Sequence, residues 1–411
     1  MRRALLLLCV VGLVPAALAD PLSYAEALAR AGANAPSVAA KGHALDAARF
    51  SVRPAGQLPD PQLAVGLDNA PISGPDRYRL NRDEMTMLSV GVMQDVPSKP
   101  KRDARTALAT AQAASAGAVL DLARLEARLG ASRAWLDSYF AAKQIVALDA
   151  INADYAQLSE ASTAAVGTAS AAPGAALQAR LEAAKIADRL SETRAMKAAA
   201  DADLERWVGP LGGDAPGQDA PTFVLDVDHQ RAHLDHHLDF ATSAAEIQQA
   251  KAGLDLARAD THPDWGWQLM YAKRDPVFGD MVSLGLKFNL PLFQSTRQSP
   301  TIDARRADIA RAGADRDAML REHTAMLEAR LATRTALTDR LNRADTVMLP
   351  LARQREAVVA AAHQAGTTPL GSAIEARIAV KEVQLDRLDL EHRLAVLNSV
   401  LSLEYEVAGH E

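Results

Sequence analysis

The pentapeptide MLSVG at positions 87–91 recurs as MVSLG at positions 281–285. A proline stands six positions beyond the glycine of each copy, Pro97 in the first and Pro291 in the second. Similarity of this kind within one chain indicates an internal structural repeat. We predict that each half of the chain runs in the order helix, strand, loop, strand, long helix and helix.

The predicted strands alternate apolar with polar or small residues. In the strand at about 281–291, one face carries Val282, Leu284, Leu286, Phe288 and Leu290, and the other carries Ser283, Gly285, Lys287 and Asn289. The equivalent strand at about 85–97 keeps the pattern except at Gln94, and shorter alternating strands are predicted at about 61–69 and 264–272. This alternation is typical of a membrane barrel with an apolar outside and a polar inside. A half-buried sheet in a soluble protein shows it as well.

Four strands are too few to close a membrane barrel, since the smallest such barrels have about eight. An open sheet edge in lipid leaves backbone groups without hydrogen bonds, at several kcal/mol each. If the four strands span a membrane, several copies of the chain must therefore share one barrel.

Long helices separate the strand pairs. The first is predicted to run from about Lys101 to about Val166 without a proline, which is on the order of 100 Å of helix. Its apolar residues recur at spacings of three and four, as in a coiled coil. The pattern breaks at 166–174 in the first half and at 365–371 in the second, and we predict that a helical hairpin turns at each place.

The N-terminus indicates export. Arg2 and Arg3 precede an apolar run at 4–16, and the small residues around 17–19 suit a signal peptidase, so residues 1–19 are predicted to be a signal peptide. The one cysteine, Cys9, lies within it, so disulfides and thiolate metal sites are not expected in the mature chain. The mature chain lacks a further apolar stretch of about 18 residues that would predict a membrane helix.

We divide the mature chain into a first repeat at 20–208, a Gly- and Pro-rich linker at 209–225, and a second repeat at 226–411. The formal net charge of -6 does not suggest a nucleic-acid partner. The sequence lacks glycine-rich phosphate loops and His-Glu zinc motifs, and the mature chain lacks a cysteine nucleophile. We therefore predict neither an enzyme nor a bound cofactor.

Four of the ten histidines lie within nine residues: His229, His233, His236 and His237. If this segment were helical, spacings of three and four would place three of them near one face, and imidazole suits zinc or copper. They are the candidate metal ligands. A polar helix start after a linker is the structural alternative, and a periplasmic metal-binding protein built on this cluster is an alternative function.

Two copies of helix, strand pair and long helical hairpin, with Gly167-Thr168 and Gly366-Thr367 at the hairpin ends, resemble the TolC family of outer-membrane efflux channels. The resemblance implies a mainly α-helical fold with a membrane β-barrel portion, in which three chains contribute four strands each to a 12-stranded barrel. It also implies a long α-helical barrel in the periplasm of a Gram-negative bacterium.

The expected partners follow from the same resemblance. They are two further copies of the chain, outer-membrane lipid, a periplasmic adaptor (membrane fusion) protein docked at the Gly-Thr turns, and an inner-membrane pump of the RND type. Glu375 is the acid that follows the second turn, and a ring of three Glu375 carboxylates would form a cation-selective gate.

Within that family, the segments LPDP at 58–61, DEMTM at 83–87 and QDVP at 94–97 are similar to the heavy-metal cation-efflux branch, the CzcC/CusC-like channels. The resemblance therefore implies export of copper and silver, or of cobalt, zinc and cadmium. A TolC-like duct for organic toxins or type I protein secretion remains an alternative. A soluble periplasmic coiled-coil scaffold is another, if the strand alternation is coincidental.

Overall fold

The computed structural model describes residues 21–167, 173–211, 217 and 219–405. The predicted positions 1–19 and Thr168 lie outside these ranges. The described residues form nine α-helices and four β-strands. The strands are β1 (Gln62–Asp68), β2 (Met87–Val96), β3 (Asp264–Lys273) and β4 (Met281–Asn289). The helices are α1 (Tyr24–Asn34), α2 (Pro36–Ala55), α3 (Lys99–Gly167), α4 (Pro173–Val208), α5 (Val227–Ala232), α6 (Leu238–Ala259), α7 (Gln298–Arg343), α8 (Leu349–Gln364) and α9 (Leu370–Glu404).

The described helices start and stop for local reasons. Ser23 caps α1, because its hydroxyl accepts a hydrogen bond from the backbone N–H of Glu26. Between α7 and α8 lies a short π-helical turn, Ala344–Met348. Pro350 follows it and has no backbone N–H to donate to the preceding turn, which accounts for the interruption. None of the helices within the described ranges is both long and apolar enough to cross a bilayer.

The chain divides into two compact units, and each takes segments from both sequence repeats. The first contains the described residues of 1–38, 124–231 and 327–411, and the second contains those of 39–123 and 232–326. The four strands belong to the second unit, and both hairpin ends belong to the first.

The first unit has an apolar core between long helices. Leu148, Ile151 and Leu158 of α3 pack with a cluster from α4 and α9 that contains Ala179, Ile186, Leu190, Ile374, Ile378 and Leu385. The residues of α3 recur at spacings of three and seven, so they lie on one side of the helix. Gly130 allows a particularly close approach, since a β-carbon there would lie 2.3 Å from the Trp207 ring.

The second unit is organised around one antiparallel sheet of strand order β1-β2-β3-β4. The observed strand ends agree with the predicted ones to within a few residues. The long loop between β1 and β2 folds back on itself through a hydrogen bond from the N–H of Tyr78 to the Pro71 carbonyl, seven positions earlier. The two pentapeptide copies fall in β2 and β4, so the repeat identified in the sequence marks the second strand of each pair.

Candidate functional site

One face of the sheet is continuously apolar. Side chains of residues paired across antiparallel strands lie on the same face, and the register pairs Leu63 with Val92, Val92 with Leu269, and Leu269 with Leu284. A second row pairs Val65, Val90, Tyr271 and Val282 in the same way. Gln94, the polar residue that interrupts the alternation of β2, also lies on this face, because it pairs with Trp267.

This apolar face is uncovered in the single chain. Leu284 is 74% exposed and Leu63 is 70% exposed, and most of the other apolar residues of the face are exposed as well. A contiguous apolar surface of this kind indicates a surface that contacts lipid or protein. Trp265 and Phe288 pair at one end of the face and supply the aromatic residues that favour a membrane interface.

The opposite face carries small and polar side chains together with several methionines. One row across the sheet contains Gly66, Ser89, Ala272 and Met281, and the next contains Ala64, Gly91, Met270 and Ser283. Lys287 is exposed on this face in β4. The two faces therefore differ as the outside and inside of a membrane barrel wall differ.

The two outer strands of the sheet, β1 and β4, each pair with one neighbour within the chain. β2 and β3 have ten residues each and β4 has nine, which matches the 9–11 residues that a tilted strand needs to cross a bilayer. Each outer strand presents a row of backbone donors and acceptors that another strand could pair with.

The sheet is fixed to the start of α3 by polar contacts in the same unit. The Asp264 carboxylate at the beginning of β3 accepts a hydrogen bond from the Ser98 N–H at 2.8 Å and one from Lys101 Nζ at 3.0 Å. Lys101 also lies 2.8 Å from Asp260 Oδ1. These contacts hold the β2–α3 and α6–β3 connections side by side, so the strands and helices meet at a fixed junction.

The structure describes three of the four predicted hairpin-end residues, and Thr168 lies outside the described residues. Gly167 is the last residue of α3, and Gly366 and Thr367 lie between α8 and α9. Gly366 has φ +76°, a left-handed conformation that favours glycine. The Thr367 hydroxyl and N–H both donate to the Ala362 carbonyl, at 2.9 and 3.0 Å, and so close the end of α8.

Glu375 lies in the first part of α9 and is exposed. Sequence reasoning missed two further acids near it, Glu382 on the same helix and Glu182 on α4. The pKa of the Tyr155 hydroxyl on α3 is raised, first by partial burial and then by the negative charges of Glu382, Glu182 and Glu375. Seven residues separate Glu375 from Glu382, and that spacing, which places both on one side of a helix, could have revealed the second acid.

Partial burial, and after it the negative charge of Asp386, raise the pKa of Glu382 above its usual value. Basic side chains accompany these acids, since Lys185 Nζ lies 2.9 Å from Glu182 Oε1 and the charge of Arg189 opposes the rise in the pKa of Glu382.

A buried ion pair stabilises the same hairpins. Asp154 of α3 has a side chain that is 6% exposed, and its carboxylate lies 2.8 Å from an Arg377 nitrogen and 2.6 Å from Lys381 Nζ. Arg377 also donates to Gln157 Oε1, and Lys381 donates to the Ala150 carbonyl. These bonds connect α3 of the first hairpin with α9 of the second.

The four predicted histidines do not share a helix, because α5 ends at Ala232. His229 lies in α5. His233 precedes a short 3₁₀ turn and its ring centroid lies 5.2 Å from that of His236, while His237 caps α6. The single helix that would bring three of them near one face is therefore not formed. In the described part of the chain, one group of histidine and carboxylate side chains converges as metal ligands do, and it takes only His237 from this set.

Comparison with known proteins gives a match in structure alone. The sequence matches neither a protein-family model nor a curated protein. Among solved structures, the outer membrane protein VceC from Vibrio cholerae is 18% identical, with a TM-score of 0.76 over 93% of this chain and 95% of that chain. CusC, described in relation to transmembrane channel formation, is 14% identical, with a TM-score of 0.74 over 93% and 91%. The Campylobacter jejuni outer membrane channel CmeC is 11% identical, with a TM-score of 0.76 over 93% and 85%.

At these identities the likeness concerns the fold. The mainly helical chain with a four-stranded antiparallel sheet, predicted from the repeat, is confirmed over nearly its whole length. The chain therefore has a TolC-like channel fold.

Proposed function

We propose that this protein is the outer-membrane exit duct of a tripartite efflux assembly and that it conducts passively, with no chemistry of its own. The observation that carries the proposal is the exposed apolar face of the four-stranded sheet, set in a fold shared with outer-membrane channels. In this proposal the face contacts lipid, and the small and polar face lines water.

The two outer strands support a homotrimer. Within lipid, the outer edges of β1 and β4 require partners, since each unpaired backbone group costs several kcal/mol. Pairing β1 of one copy with β4 of the next satisfies both edges, and three copies supply twelve strands. The exposed apolar face then becomes the outer surface of the barrel.

The hairpin ends are the proposed docking sites for a periplasmic adaptor, which in turn contacts an inner-membrane pump of the RND type. The proposed docking residues are Gly167, Thr168, Gly366 and Thr367. The pump supplies the free energy, and docking shifts a closed channel towards an open one. Glu375 is the proposed gate residue, and its exposure on α9 leaves its carboxylate accessible to a passing cation.

Heavy-metal cations are the proposed substrates. This part of the proposal rests on the likeness of 58–61, 83–87 and 94–97 to the cation-efflux channels. In the folded chain, 94–97 forms the end of β2 and the turn into α3.

Growth inhibition of a deletion strain tests the function. The strain is compared with and without the restored gene across copper, silver, zinc, cobalt and cadmium salts and a panel of dyes and antibiotics. The proposal predicts hypersensitivity to one or two metals that the restored gene reverses. Sensitivity to organic compounds alone would keep the duct and overturn the metal substrate, and unchanged growth throughout would contradict efflux.

A gate variant refines the same experiment. Glu375→Gln removes the proposed ring of charge, and Glu160→Gln on α3 is the control, because it removes an exposed acid in the last turns before the first hairpin end. We expect Glu375→Gln to restore metal resistance poorly and Glu160→Gln to restore it fully. Equal restoration by both variants would remove Glu375 from the gate.

A further inference from the structure

Three side chains of the second unit converge at the start of α6. Asp239 Oδ2 lies 3.1 Å from His323 Nε2 and 3.4 Å from His237 Nδ1. One possible ligand atom from each residue lies within 4.8 Å of the other two. Two imidazole nitrogens and a carboxylate oxygen form a donor set typical of zinc and copper sites.

The fold positions these groups firmly. His237 is the N-cap of α6, where its Nδ1 accepts the Asp239 N–H at 3.2 Å, and Asp239 lies in the first turn. His323 comes from the middle of α7, and its ring packs against the rings of His237 and Phe240 at centroid distances of 4.6 and 5.3 Å. His237 is 6% exposed and His323 is 9% exposed, so packing restricts both rings.

We propose that His237, Asp239 and His323 form a binding site for a divalent transition-metal ion of the zinc class. In a tetrahedral site with metal–ligand distances of about 2.0–2.1 Å, neighbouring ligand atoms lie about 3.3 Å apart. The distances from Asp239 Oδ2 to the two nitrogens are close to that value. Three protein ligands leave the fourth position for water.

The Asp239 carboxylate supplies negative charge at this place. The N-terminal end of a helix disfavours positive charge, and the Asp239 carboxylate in the first turn of α6 offsets that effect. Binding through His237 Nδ1 would compete with its capping bond to the Asp239 N–H. The bound ion would fasten the start of α6 to α7, and this role does not depend on which substrate the channel exports.

Metal content tests the site directly. The purified full-length protein is stripped with a chelator, dialysed against zinc, and its zinc per chain is measured. We expect one zinc per chain in the wild type and an affinity at least about tenfold weaker in His323→Gln. The double variant His233→Gln/His236→Gln is the matched control, because it removes two neighbouring histidines and leaves the three ligands in place.

Asp239→Asn keeps the side-chain shape and serves if His323→Gln does not fold. We expect it to weaken zinc binding as well, and zinc to raise the Tm of the wild type and of the control but not that of Asp239→Asn. Wild-type protein that takes up no zinc would overturn the proposal. So would zinc binding that survives both ligand substitutions or that disappears in the control. Because binding is measured on isolated protein, failure here leaves the proposed export function standing, and the reverse holds too.

Discussion

Replacing Leu284 with arginine distinguishes a sheet whose apolar face contacts lipid from one whose apolar face contacts water. Leu284 lies within one residue of the centre of β4 and is 74% exposed, so the substitution removes little packing within the chain. In a bilayer, an arginine at the midplane costs about 2–4 kcal/mol, or about 6–12 kcal/mol for three copies. In water, an exposed substitution changes stability by about 0.5 kcal/mol or less.

The assay is urea unfolding of the protein folded into lipid vesicles, followed by tryptophan fluorescence. Trp265 and Trp267 on the neighbouring strand contribute to this signal together with Trp135 and Trp207. Phe288→Arg is the control for depth, since Phe288 pairs with Trp265 near the end of the sheet, where an arginine costs about 0–1 kcal/mol. We expect Leu284→Arg to be the more damaging by about 1–4 kcal/mol per chain. Equal and small effects at both positions would refute the reasoning.

Three further predictions concern the first unit. Asp154→Ala leaves two cations without their buried carboxylate and should lower the free energy of unfolding by about 2–3 kcal/mol. The control Asp149→Ala, on the same helix with an exposed arginine partner, should lower it by less than about 1 kcal/mol. Similar losses for the two variants in denaturant titrations would contradict this prediction. The raised pKa of Glu382 means that the folded state favours its protonated form. The stability that this group contributes is therefore present below its ordinary pKa and is lost as the pH rises through the raised pKa. Glu382→Gln should consequently have a higher Tm than the wild type at pH 7 and no advantage near pH 3. A Tm advantage at both pH values would speak against that assignment. Gly366→Ala places a β-carbon on a residue with left-handed backbone and should destabilise the turn by about 1 kcal/mol. The loss is measured as a lower urea midpoint, and an unchanged midpoint would show that the turn relaxes at no cost.

The sheet could be predicted because its signals are local. The alternation of β4 survives in the folded chain, and the repeat with β2 identified its partner segment. The ends of α3 also followed from the sequence, since proline and glycine punctuate an alanine-rich run that otherwise favours helix. The π-helical turn before Pro350 was not predicted, although that proline is a local signal for an interrupted helix.

The missed side-chain groups depend on contacts between distant segments. His323 meets His237 and Asp239 only because α7 packs beside the start of α6, and no spacing in the sequence reports that. The same holds for Asp154, whose partners Arg377 and Lys381 lie on another hairpin. The histidine cluster shows the reverse case, since a shared face for these side chains required one helix and the chain turns within 229–237.

Site-directed spin labelling of β4 tests the central claim, that the sheet spans the outer membrane as a barrel wall. Cys9 lies in the predicted signal peptide, so a cysteine introduced at 283, 284, 286 or 287 is expected to be the one thiol of the mature chain. Collision with oxygen reports lipid, and collision with a water-soluble nickel chelate reports water. We predict that labels replacing Leu284 and Leu286 respond to oxygen and that labels replacing Ser283 and Lys287 respond to nickel. Nickel access at all four positions, or access to neither probe at Leu284 and Leu286, would contradict the account.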